Sequence, residues 1–163
     1  MSQDRVGWLQ DHSALERHLI VAMRHAARAL AEDQEGASEA AQGELARITR
    51  ASDGAGTRRR FWSWMQTLGR QAQRMIHLHH PDCPCLGGDE AALLAIWQHL
   101  RSHQRGHATA LARRLVERRA VEPLLRHAAV VAIRTAPPGA SVASSERSAT
   151  PRPSGPVQAA RLH

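Results

Sequence analysis

The sequence predicts an all-α protein, a single-domain bundle of five or six helices with a disordered C-terminal tail, and three observations carry that expectation. One Phe, four Trp and no Tyr among 163 residues leave the core to Leu, Ala, Val, Ile and Met, a bias that suits packed helices better than sheets. Apolar residues recur at three- and four-residue intervals through most of the chain. From Pro137-Pro138-Gly139 to His163 the composition turns to Ser, Pro, Ala, Gly and Arg without periodicity, which is too little apolar surface to offset the entropy of ordering. The folded unit is therefore expected over 8–135 and the tail over 136–163, a length that serves one core and not two.

The elements follow in order. Ser13-Ala14-Leu15-Glu16 has the form of a capping box. Behind it Leu15, Leu19, Ala22, Met23, Ala26, Ala27 and Leu30 mark a first helix over 14–34, which Gly36 ends. A weaker second helix spans about 38–50, with Leu45 and Ile48 as its large apolar residues and Gly43 a local cost. Residues 52–56 read as a loop, and Thr57 as the cap of a third helix. Phe61, Trp64, Met65, Leu68, Ala72, Met75 and Ile76 line one face of that helix as far as about His79. Pro81, Pro84 and Gly87-Gly88 mark a connection of about ten residues, long for a bundle. Asp89 is placed to cap a fourth helix carrying Leu93, Ile96, Trp97 and Leu100; a fifth covers about 108–119, and Pro123 opens a sixth.

Charge and composition narrow the function. The formal net charge is +7, and every cation is Arg because Lys is absent. Residues 58–134 hold 13 Arg against five acids, whereas 1–57 hold six against nine. A basic half attracts nucleic acid or an acidic partner. The longest apolar runs are far too short to cross a bilayer, so no membrane partner is expected. No basic stretch followed by an apolar one opens the chain, so no secretory signal is expected. Two cysteines one residue apart do not form a disulfide scaffold. A cytoplasmic location is the expectation.

One segment carries chemistry of its own: His77-Leu78-His79-His80-Pro81-Asp82-Cys83-Pro84-Cys85. Thiolates and imidazoles are the ligands zinc prefers, and a closed structural site needs four of them. His79, Cys83 and Cys85 supply three, with His80, His77, Asp82 or Asp89 as the fourth. A finger-like alternative uses His99 and His103. It is disfavoured because His99 lies about ten residues into its helix, roughly 15 Å along the axis. Two further readings stay open. A Cys83-Pro84 dipeptide can offer haem a thiolate, and Cys85 just ahead of a helix N-terminus is placed for a reactive, acidic thiol. A loop that only packs, with a buried Cys and His satisfying helix carbonyls, accounts for the same residues.

The stretch from Arg74 to Ala91, with His79-x3-Cys83-x-Cys85-Leu86-Gly87-Gly88-Asp89-Glu90-Ala91 at its centre, resembles a loop in short, uncharacterised helical bacterial proteins. Those carry His-x3-Cys-x-Cys-Leu-Gly-Ala-Asp-Glu-Ala between helices. The similarity extends from about Leu15 to Ile133, with Glu16-Arg17-His18-Leu19 and Ala112-Arg113-Arg114-Leu115-Val116 as weaker echoes, and Gly88 departs from the group's Ala. The resemblance implies that His79, Cys83 and Cys85 are the signature positions. The group has no established activity, so it implies no mechanism.

Arg58-Arg59-Arg60-Phe61-Trp62, with Arg113-Arg114, combines guanidinium groups for phosphates with an indole able to stack on a base. Phe61 and Trp64 fall on the apolar face and are expected to pack, and no helix-turn-helix or RNA-binding signature accompanies them. His99, His103 and His107 share a face only if one helix runs through Gly106. No phosphate loop, nucleophile elbow or His-Glu-x-x-His occurs. The expectation is a regulatory module that acts by binding another protein, as a monomer or homodimer, with zinc in the 77–90 loop. An Arg-rich nucleic-acid-binding regulator and a thiol redox or haem-responsive protein are the alternatives.

Overall fold

A capping box opens the first helix. The Ser13 hydroxyl accepts the Glu16 amide at 3.3 Å, while the Glu16 carboxylate accepts the Ser13 amide at 2.9 Å. In the computed structural model, which describes residues 5–32, 36–50 and 53–135, six helices follow: α1 (Ala14–Glu32), α2 (Ala37–Ile48), α3 (Gly54–Gln71), α4 (Gly88–Arg101), α5 (Arg105–Ala112) and α6 (Val121–Arg134). The tail proposed over 136–163 lies outside the described residues. The protein is all-α, and the stripes read from the sequence become its core. Leu19, Met23, Phe61, Trp64, Leu93, Ile96, Trp97 and Leu124 are all buried. The principal packing pairs are α1 with α2 and α3 with α6, and α4 packs on both α5 and α6. Among the described residues no helix is long and apolar enough to cross a membrane.

Three departures from the periodicity have local causes. Gly36 begins α2 instead of ending α1: it precedes the first helical residue with φ of 84°, a left-handed conformation that glycine adopts without a Cβ penalty. Helix α3 stops at Gln71, well short of His79, because its next residues pair with another segment. Gln73 N–H donates to the Leu115 carbonyl at 3.0 Å, Glu117 N–H donates to Gln71 at 2.9 Å, and Ala72 faces Val116 in an isolated bridge. The same pairing ends α5 at Ala112, ahead of the expected 119, and leaves Met75, assigned inward by spacing, 76% exposed. The third departure is a two-stranded antiparallel sheet of β1 (Arg5–Trp8) and β2 (Cys85–Gly87), with Trp8 opposite Cys85 and Gly7 opposite Leu86. Strands this short show no alternation that a sequence reading could detect.

Thr57 also differs from its expected role as a cap. It lies within α3, fully buried, and its hydroxyl has no partner among the described residues. A buried hydroxyl without a partner is a net cost, and an isosteric apolar replacement removes it. Thr57→Val is therefore expected to leave stability unchanged or raise it by up to ~1 kcal/mol in urea denaturation. A comparable loss would mean that the hydroxyl donates to a group outside the described residues.

Candidate functional site

The site is built around an arginine on an apolar helix face. Arg24 follows Met23 on α1, is fully buried, and directs its guanidinium at the connection between α3 and α4. It has five N–H donors, and each meets an acceptor. Nε donates to Glu90 Oε1 at 2.7 Å, and Nη2 donates to Glu90 Oε2 at 3.0 Å and to the Cys85 carbonyl at 2.6 Å. Nη1 donates to the carbonyls of Cys83 at 2.6 Å and His80 at 3.2 Å. One side chain of α1 thus fixes the backbone of the loop at three points and the first turn of α4 at a fourth.

Glu90 is the other half of the clamp. Its carboxylate, 1% exposed, also accepts the amides of Gly87 at 2.9 Å and His79 at 2.8 Å, and the His79 Nδ1–H at 2.9 Å. Burial pushes this carboxyl upward, but the hydrogen bonds from Arg24, Gly87 and His79 and the Arg24 charge outweigh it and hold the group below its ordinary 4.5. The bond from Gly87 identifies the helix start. Gly87 is the N-cap of α4 and Glu90 reaches back to its amide, so the capping expected of Asp89 falls to the next residue. Asp89, itself buried, turns to Arg74, both of whose terminal nitrogens donate to it, and to the His77 amide at 2.8 Å. The Arg74 bonds lower its pKa most, burial opposes them, and the His77 amide lowers it further. Gly87 is also a close approach: a Cβ there would lie 2.6 Å from His79 Cε1, so only glycine lets the imidazole lie against Glu90 without displacement.

The four residues expected to hold zinc occupy this loop in a different arrangement. Cys83 and Cys85 are joined to each other as a disulfide, Cα to Cα 5.4 Å. Both are half-buried. His79 commits Nδ1 to Glu90. His80 is exposed; its Nε2 lies 2.6 Å from Arg28 Nη1, and its Nδ1 lies 3.3 Å from both the Asp82 amide and the Asp82 carboxylate. Among the described residues no three His, Cys, Asp or Glu side chains converge as a ligand set. With the sulfurs bonded to each other neither is a thiolate, and thiolate is the form that zinc or haem takes. Joined in this way, the two sulfurs do not serve as metal ligands.

The nucleic-acid candidates divide. Arg58, Arg59, Arg60, Arg113 and Arg114 are exposed, as a solvated basic face requires. Trp62 is half-buried, with its ring edge-on to Phe61 at 6.1 Å, so only part of the indole faces solvent. Of the remaining histidines, His99 and His107 stack at 5.1 Å across the α4–α5 turn. His103 stands in that turn with φ of 57°, so no continuous helix runs through the three.

Comparison with protein-family models, curated proteins and solved structures returns no match to this chain. The residues missed in the sequence are Arg24 and Glu90. Arg24 had a visible signal, since it sits four residues after Ile20 and next to Met23, on a helix face that must be buried. A charge in that position requires a buried partner.

Proposed function

We propose that the protein is a thiol-responsive regulatory module in which Cys83 and Cys85 form a reversible dithiol/disulfide pair on a scaffold that stays folded in both states. One observation supports this above the others: the clamp holds the backbone carbonyls of both cysteines through Arg24, independently of the sulfurs. A disulfide closing so short a loop removes little entropy from the unfolded chain, about 1.6 kcal/mol for three residues. It is a weak staple placed where a stronger one already acts. Its chemistry is a better account of it than its stability.

The reaction is thiol–disulfide exchange with a low-molecular-weight or protein dithiol. The attacking thiolate bonds to one cysteine sulfur, the Cys83–Cys85 bond breaks, and the departing sulfur takes a proton. A second thiolate from the reductant then resolves the mixed disulfide, leaving the dithiol here and a disulfide in the reductant. Cys85 stands three residues ahead of the start of α4, and the partial positive charge of a helix N-terminus favours its thiolate. Only in the dithiol state do Cys83 and Cys85, with His79 and His80, become available to zinc. Zinc binding is thus proposed for the reduced protein alone.

Equilibration against a glutathione series, followed by acid quench, alkylation and mass measurement, tests the proposal. The expected result is one reversible two-electron transition with a midpoint between about −180 and −300 mV and an unchanged far-ultraviolet spectrum across it. A pair that stays oxidised until the chain unfolds, or a reduced protein that is itself unfolded, would show a structural staple instead. Adding zinc during the titration separates the two chemistries: one zinc per chain with a midpoint displaced toward the reduced form would make metal binding the role of the dithiol.

A further inference from the structure

The pairing of residues 71–73 with 115–117 that ends α3 also builds a pocket. Gln73, Arg113 and Arg118 line it, around about 420 Å³. We propose that this pocket is a phosphate-binding site, occupied by a free phosphate or diphosphate or by the backbone of a nucleic acid.

The turn between α5 and α6, from Arg113 to Arg119, carries four arginines and a single acid, Glu117. That acid is taken by Arg119, whose Nε lies 2.8 Å from it. Neither Arg113 nor Arg118 has a carboxylate partner among the described residues, and both are exposed at their outer surface. Two guanidinium groups lining one cavity favour an anion there, and the planar fork of each matches two phosphate oxygens.

Gln73 donates through Nε2 to the carbonyls of Arg113 at 3.2 Å and Val116 at 2.6 Å. Its main chain is tied to Leu115, and Gln71 is tied to Glu117. With both amide hydrogens used on the turn, Gln73 has none left for an anion. It is a positioning residue, which fixes the backbone from which both arginines project. The backbone of the turn is therefore held in shape before any ligand arrives, which lowers the ordering cost of binding to that of the two side chains. The volume exceeds that of a single phosphate and lies within the range of small-ligand sites, which suits a diphosphate or a phosphate with its sugar.

Titration calorimetry at low ionic strength with inorganic phosphate, then pyrophosphate, then a short single-stranded oligonucleotide tests the site. Pyrophosphate is expected to bind the wild type and to lose about tenfold to a hundredfold in affinity in Arg113→Gln/Arg118→Gln. The Arg47→Gln/Arg50→Gln protein, which removes the same charge from exposed positions on and just after α2, is expected to retain it. Gln73→Ala should weaken binding although it removes no charge. If the free anions do not bind but the oligonucleotide does, with the same dependence on Arg113 and Arg118, the phosphate is that of a nucleic-acid backbone. Equal losses in the two double variants would reduce the effect to net charge and overturn the proposal, as would the absence of binding to all three probes. All the substituted arginines are exposed, so a circular dichroism spectrum identical to wild type is expected and keeps each outcome interpretable.

Discussion

Arg24→Met is expected to lower the free energy of unfolding by about 3–5 kcal/mol, the cost of leaving one member of a buried ion pair without the other. The thioether nearly fills the space of the guanidinium stem, so the loss is not one of packing. It comes from Glu90, left charged and 1% exposed, and from the carbonyls of His80, Cys83 and Cys85, left without their donor. Chemical denaturation at pH 7 measures it. In the Arg24→Met/Glu90→Met protein the stranded charge is gone, so its loss of stability should be smaller than the sum of the two single losses. Recovery should be incomplete, because the amides of His79 and Gly87 also lose their acceptor. A single variant within ~1 kcal/mol of wild type would show that the loop does not depend on Arg24.

The second large effect is a loss of stability in acid. Glu90 and Asp89 both have folded-state pKa values below their ordinary 4.5 and 3.8. As pH falls, the unfolded chain therefore takes up these protons before the folded one does, and protonation favours unfolding. The stabilisation from both groups is fully present above the ordinary carboxylate values. It drains away as pH descends through them and is gone below the lowered folded values. Urea denaturation at steps from pH 7 to pH 3 should show this limb, and Glu90→Gln should flatten it while lowering the plateau at neutral pH. Parallel limbs in the two proteins would mean that Glu90 is not held as a carboxylate by its neighbours.

The contrast between legible and hidden features has physical roots. The helices were legible because their stripes are local: Leu19, Phe61, Leu93 and Leu124 announce burial through spacing alone, and all four are in the core. Ser13 and Glu16 were legible for the same reason, since a cap acts across three residues. The ends of α3 and α5 were not, because a pairing between residues forty positions apart, such as Gln73 with Arg113 and Leu115, decides them. In the loop, spacing singled out His79, Cys83 and Cys85 as a group able to share one site. It did not distinguish sulfurs facing a metal from sulfurs facing each other. Arg24 and Glu90 are 66 residues apart in sequence, and nothing local joins them.

That separation governs how α1 finds its place. Sliding the helix by one turn moves its side chains about 5.4 Å along the axis and returns nearly the same face to its neighbours. An apolar stripe containing several alanines tolerates such an error by repacking, at a cost of about 1–3 kcal/mol. A guanidinium satisfied by five directional bonds does not, since a slip breaks the bonds together and leaves two charges buried apart. The arginine in the middle of α1 therefore acts as a key among interchangeable hydrophobic contacts: helices that dock one turn out of phase are rejected, and only the alignment that closes the loop is retained.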